Sequence, residues 1–392
     1  MKKHSQLATR ILAAGRLLAG FFLAGSFLAN QAAVAQSPSP RLYHSNGEWI
    51  QEVSGTFSAG RIVKVKSSSG SIRIQGAQQN NITYTIREHV RAVNEQSARR
   101  ELSRMKFTTY SSGDAVVLQA DCEGSHQGSI DFDIQVPAQT ALVRLETDGG
   151  SVAANNLSGR VEAKTGGGGI QLDRITGIIA VSSAGGNIDI GKVGNDVEAS
   201  TGGGSIHLVS AAGQVTAKSG GGNLNIGWAK VMTLVTAGGS IRVIKCDGKI
   251  RAETGGGNIE LSDIAGAAEI ETGGGSIHIG PVRGGVRAQT SAGAIMAKLA
   301  ANGATFTDSK LETQNGDIVV YVPEGLGVNV RAAVESARSY GIRSEFGELK
   351  ITGPRNLSPR EFYAEGNLNG GGPVLHVHTT AGNIEIKREA KP

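Results

Sequence analysis

One phrase recurs along this chain at a nearly fixed interval. The residues just after successive glycine clusters, Val152, Ile170, Ile188, Ile206, Leu224, Ile241, Ile259, Ile277 and Ile295, stand 18 apart with a single step of 17. A period this short dictates a stacked, quasi-one-dimensional molecule in which each unit buries its apolar face only against its neighbours. Aligning the nine repeats on that column makes the other positions readable. Nine residues earlier stand Val143, Val161, Ile179, Val197, Val215, Met232, Ile250, Ala268 and Val286, and two further on runs a mixed Leu/Ala/Val/Ile column from Leu145 to Ala288. The next inward column is Thr147, Thr165, Ser183, Thr201, Ser219, Thr236, Thr254, Thr272 and Thr290, a hydroxyl in every repeat. Alternation of period two defines a strand with one buried face. Stacked about 4.8 Å apart, those hydroxyls are expected to reach the next rung and satisfy polar groups at the edge of the core.

Glycine clusters such as Gly202-Gly203-Gly204 and Gly255-Gly256-Gly257 follow this strand. Glycine reaches positive φ without a Cβ clash, which suits a repeated tight corner. A second strand follows, with the Ile column, then Leu172, Ile190 and Leu208, then Ile175, Val193, Ala211 and Cys246 pointing inward. The expected fold is all-β, a parallel β-solenoid (β-helix) of roughly 18-residue two-strand rungs.

The flanks differ. Lys2, Lys3, Arg10 and Arg16 precede an apolar run from Leu17 to Ala29, and Ala33-Val34-Ala35 supplies small residues for cleavage, so 1–35 reads as a secretory signal peptide. The run is shorter than the roughly 20 residues of a membrane-spanning helix, and no second such segment appears, so no transmembrane span is expected after cleavage. Removing 1–35 takes four of the 39 basic residues and no acidic one, which brings a formal charge of +5 down to about +1. That excludes a general electrostatic pull toward nucleic acid. Residues 36–142 read as a β-rich N-terminal leader or cap, with strands at 48–57, 61–67, 71–75, 81–89, 115–120 and 129–136 and one helix over 94–107, where Ala98, Leu102 and Met105 fall at steps of four and three. Residues 143–302 are the solenoid. Residues 303–392 read as a C-terminal cap ending the same solenoid, with strands at 317–323, 327–335 and 342–352, before Thr380-Ala381-Gly382-Asn383-Ile384 sounds the repeat phrase once more. Both flanks would cover strand edges that otherwise invite aggregation.

Function would have to show on the outward columns. Arg144, Glu162, Glu198, Arg251, Glu269 and Arg287 form one line, and Glu146, Lys164, Lys218, Glu253 and Glu271 another, with signs that suit mutual pairing on a solvated face. The adjacent Glu253 and Glu271 resemble paired carboxylates, but a glycosidase needs its second acid across the substrate. His207 and His278 share a column yet stand four rungs apart, about 19 Å at the strand spacing, too far for one ion. His376 and His378 on one side of a strand make half a metal site with no third ligand near in sequence. The glycine clusters lack the Gly-Lys-Ser/Thr of a phosphate loop, and an apolar residue stands where the calcium nonapeptide needs Asp. Trp228 is the single aromatic residue from Val143 to Asn302, too few for a stacking platform. Cys122 and Cys246 fit no metal spacing; oxidation is permitted in an exported chain, but the register places Cys246 in the core as an inert thiol. No catalytic, cofactor or metal residues are assigned.

The order of motifs, from Asp148-Gly149-Gly150-Ser151-Val152 through the Thr-Gly-Gly-Gly rungs and Asp317-Ile318-Val319-Val320-Tyr321-Val322-Pro323 to Leu368-Asn369-Gly370-Gly371-Gly372, resembles the DUF4097 family. That resemblance spans 61–388 and implies a bacterial β-solenoid classed among candidate adhesins, with no catalytic residues to carry over. The expectation is an exported, non-enzymatic β-solenoid of periplasm, envelope or medium that binds a protein or glycan ligand. The alternatives are a carbohydrate-active β-helix enzyme and an accessory protein of envelope-stress signalling.

Overall fold

In the rung that begins at Val197, side chains alternate in and out until Thr201, three glycines turn the chain, and Ile206–Ala211 returns with Ile206, Leu208 and Ala211 pointing back at Val197 and Ala199. All five apolar residues are no more than 3% exposed. A single strand pair this small could not bury them; the rungs above and below complete the enclosure. Val152, Ile170, Ile188, Ile206, Leu224, Ile241, Ile259, Ile277 and Ile295 stack directly on one another in parallel register. The 17-residue step is absorbed in the turn at Lys230, because Ser210 still pairs with Trp228, 18 residues on, while Val215 pairs with Met232, 17 residues on.

This computed structural model describes residues 40–122, 128–301, 306–336, 340–353 and 361–389; the expected signal peptide over 1–35 lies outside the described residues. Among the described residues it holds 34 strands and one helix, and is a parallel β-solenoid built from two long facing sheets. One sheet takes the strands before each glycine corner, the other those after it. Among the described residues both sheets are open: the edge strands Lys106–Ser112 and Lys350–Thr352 of one pair only with Ala115–Asp121 and Phe362–Leu368, and the edge strands Arg41–Ser45 and Ile342–Ser344 of the other only with Glu48–Ser58 and Ile384–Arg388.

Rungs also stack on either side of residues 143–302. Ile62–Ser67 and Ile72–Ala77 already form a rung, in register with Leu142–Thr147 and Val152–Leu157. Ala115–Asp121 and Gly128–Pro137 form another, outside the first. Beyond it an antiparallel ribbon of Gly128–Pro137, Asn81–Val90, Glu48–Ser58 and Arg41–Ser45 closes the N-terminal end. The Asn46-Gly47 hairpin, both residues at positive φ (51° and 82°), joins the last two; its Asn-Gly signal makes Arg41–Ser45 a strand the sequence reading passed over.

At the other end Ser309–Asn315 and Ile318–Val322 continue the stack, Thr313 opposite Thr290 and Ile318 opposite Ile295. The next rung in space is the last in sequence: Val374–Ala381 lies between Ser309–Asn315 and Val328–Val334, and Ile384–Arg388 between Ile318–Val322 and Ile342–Ser344. The closing repeat phrase therefore fills an interior position. The strand expected over 342–352 is two short ones in different sheets, because Phe346 and Leu349 bury themselves at a crossing where the Arg388 guanidinium lies 4.5 Å from the Phe346 ring. The helix is shorter than expected, Glu95–Leu102: Asn94 caps its start by accepting from the Ser97 N–H, and from Lys106 the alternation of Phe107 and Thr108 turns to strand.

Two side-chain ladders fix the corners. Each column hydroxyl donates to the carbonyl of the last corner glycine one rung back, as Thr254 Oγ1 does to Gly239 at 2.7 Å, and all but Thr290 accept from the last corner glycine of their own rung, as Thr254 does from Gly257 at 3.2 Å; Gly293 donates instead to the Asn315 carbonyl. The expected hydroxyl ladder is thus hydroxyl to backbone. The second ladder is unheralded: Asn187, Ser205, Asn223, Ser240, Asn258 and Ser276 each accept, through the side-chain oxygen, the backbone N–H of the residue one rung on. The glycines also have a different reason from the one expected. No corner glycine from Gly149 to Gly293 has positive φ. The third glycine is required by rung spacing, since a Cβ on Gly257 would lie 2.1 Å from the Gly239 oxygen, whereas a Cβ on Gly256 would meet nothing within 4 Å.

Candidate functional surface

Every outward residue belongs to a row at fixed strand spacing, so candidate residues can be placed by register alone. Glu253 and Glu271 are direct neighbours, as the alignment implies. They stand side by side on an open sheet face, and Arg251 ion-pairs with Glu253 and reaches Glu269 Oε1 at 3.1 Å. Nothing in that geometry straddles a sugar. His207 and His278 are separated by Asn225, Arg242 and Glu260 on three intervening strands. His376 and His378 face outward on an interior strand; His378 Nε2 lies 3.0 Å from Glu335 Oε1, whose other oxygen accepts from Thr380. Among the described residues no group of three or more His, Cys, Asp or Glu is placed to hold a metal ion. Cys122 and Cys246 are both free thiols; Cys246 is fully buried between Ala229 and Ile264, and burial raises the pKa of each.

Charge pairing governs most of both faces. Arg144 and Arg160 clasp Glu162 at 2.7 Å each and lower its pKa, and Arg242 meets Glu260 at 2.6 Å. A shallow depression of about 400 Å³ over Ala180 is rimmed by this mixed set, including Glu146, Lys164 and Glu198. One row departs from the pattern. Toward the C-terminal end of the sheet that precedes the glycine corners, Arg287, Lys310, His376 and Arg331 lie on four adjacent strands in direct register. Lys310 pairs with Glu312 at 2.7 Å, but among the described residues Arg287 and Arg331 have no acidic partner. A groove of about 470 Å³ runs beside Arg287, Lys310 and His376, lined also by Lys249, Glu269 and Asp308. One column over, Tyr363 stands 49% exposed opposite Ala333, two residues along the strand from Arg331 and on the same face.

Sequence reasoning also passed over Glu88. It occupies an inward position in the run Ile82, Tyr84, Ile86, Glu88, Val90, is 1% exposed, and accepts from Gln51 Nε2 at 2.5 Å. Burial raises its pKa to about 7, the Gln51 hydrogen bond opposing the shift. An acid on the apolar beat of a strand was the signal available.

The fold and its surface define a capped parallel β-solenoid with flat, register-locked outer faces. No family model matches the chain, and no curated protein does. Among solved structures, a candidate cell adhesion protein from Clostridium sporogenes aligns over 90% of this chain and 100% of its own at 10% identity and a TM-score of 0.17. A candidate adhesin from Bacteroides fragilis aligns over 86% and 97% at 10% identity and a TM-score of 0.26. At such scores the likeness carries no argument about what this chain does. Among the described residues no helix is long and apolar enough to cross a membrane.

Proposed function

We propose that this chain is an exported, non-catalytic β-solenoid that presents its outer faces to a protein or glycan ligand of the bacterial cell envelope, as the resemblance to the DUF4097 family implies. The observation that carries the reading is the register itself: outward side chains repeat in unbroken rows across the strands, a geometry suited to extended contact. The leader-like segment at 1–35 supports export. Cell fractionation with an epitope-tagged chain tests the location; recovery in periplasm, envelope or medium is expected, and retention in the cytoplasm would overturn it. Arrays of envelope proteins and glycans probed with the purified exported protein test the binding. No captured ligand, together with polysaccharide cleavage that is lost in Glu253→Gln/Glu271→Gln, would favour an enzyme instead.

A further inference from the structure

We infer that the row Arg287, Lys310, His376 and Arg331, with Tyr363 beside it, is a binding surface for an anionic polysaccharide. The inference rests on the binding role proposed above and names its ligand class. Like charges placed directly opposite on neighbouring strands repel and destabilise a sheet; elsewhere on these faces most charges meet an opposite sign, and like pairs such as Glu253 and Glu271 stop at two. Here four basic side chains follow one another without an acid between them, from Glu269 on one side to Glu365 on the other. Repetition does not explain the row. Its members come from four segments, and His376 enters only because Val374–Ala381 inserts between two earlier strands. Arg287 and Arg331 keep their guanidinium donors unspent among the described residues, and an open groove lies beside Arg287, Lys310 and His376, with Arg331 next in the row beyond its lining.

The chemistry of the surroundings selects the ligand. Glu269, Glu312 and Glu365 flank the row. They limit how dense a negative charge the row accepts, which disfavours polyphosphate, whose charges follow one another more closely than the one carboxylate per sugar of a uronic-acid polymer. Tyr363 offers an exposed ring over the small Ala333, diagonal to Arg331 and within about 8 Å of it by strand geometry. A ring beside a guanidinium suits a sugar whose apolar face stacks while its acid group is paired. One aromatic residue at one end of the row is too sparse for base stacking.

The test measures binding of the full protein to polygalacturonate, to its methyl ester and to inorganic polyphosphate. Polygalacturonate is expected to bind, roughly tenfold more weakly when ionic strength rises from about 0.05 M to about 0.5 M, and the uncharged ester is expected not to bind. Arg287→Glu/Arg331→Glu should lose the interaction with the fold intact by circular dichroism, while Arg242→Glu on the opposite sheet changes nothing. Tyr363→Ala should weaken binding severalfold and leave its salt dependence unaltered. Unchanged affinity in the double variant, or tight polyphosphate binding indifferent to Tyr363→Ala, would overturn the proposal. Capture of other envelope ligands without polygalacturonate would sink this assignment and leave the binding role standing; cytoplasmic retention would sink the role itself.

Discussion

Within one glycine corner, residues that look alike in sequence carry different loads. Gly257→Ala drives a Cβ against the Gly239 carbonyl and should destabilise by about 1–3 kcal/mol, as overpacking does. Gly256→Ala meets open space at a permitted φ and should be neutral or stabilise by up to about 1 kcal/mol by restricting the unfolded chain. Urea denaturation of the two variants decides the matter, and equal losses would refute the account. Ala292 already occupies the middle position in one rung, whereas the third position is glycine in each. Thr254→Val removes a donor to Gly239 and an acceptor for Gly257 at a buried corner, which should cost about 1–3 kcal/mol in the same assay. Glu88 sets a pH dependence. Its folded pKa near 7 lies above the unfolded carboxylate value near 4.5, so the native state binds the extra proton between those limits. The contribution of Glu88 to stability is therefore greatest in acid and falls as pH rises through that window, by on the order of 3 kcal/mol in all. Glu88→Gln should flatten this slope and be the more stable protein at pH 8, as read from urea midpoints across pH.

Among elements, legibility followed repetition. The Ile and Thr columns could be read because their neighbours in space are one period apart in sequence, so alignment and register coincide. Where the chain leaves that order the sequence falls silent. Nothing local in Val374–Ala381 says that it lies between Ser309–Asn315 and Val328–Val334 and not beyond both, and the Arg287 to Arg331 row was invisible for the same reason. Glu88 and the Asn/Ser ladder were hidden differently: each is one residue type amid polar variety, and only the inward beat or the rung spacing gives it meaning. Deletion of residues 202–219 removes one whole rung and rejoins Thr201 to a glycine corner, so it should leave the β circular-dichroism spectrum intact with a modest fall in melting temperature. Removing residues 374–392 should do far more, exposing amides throughout Val328–Val334 and Phe362–Leu368 to hydrogen exchange, because it withdraws an interior rung.

For the whole molecule, a solenoid without globular closure must protect its ends, and this one does so unequally. The N-terminal end carries a helix, an antiparallel ribbon and the large side chains Tyr84 and Phe132, whereas the C-terminal end finishes in the three-residue strands Ile342–Ser344 and Lys350–Thr352. Short edges of that kind offer little template for another chain. The insertion of the last rung also sets a clock. As the chain emerges during synthesis, rung after rung can settle on the one before it until Ile318–Val322, but the strands made next must leave a vacancy or rearrange, since their neighbour has not yet been translated. The stack is sealed by its latest-made part, so a nascent chain stalled before Val374 holds a finished N-terminal stack and an unfinished end.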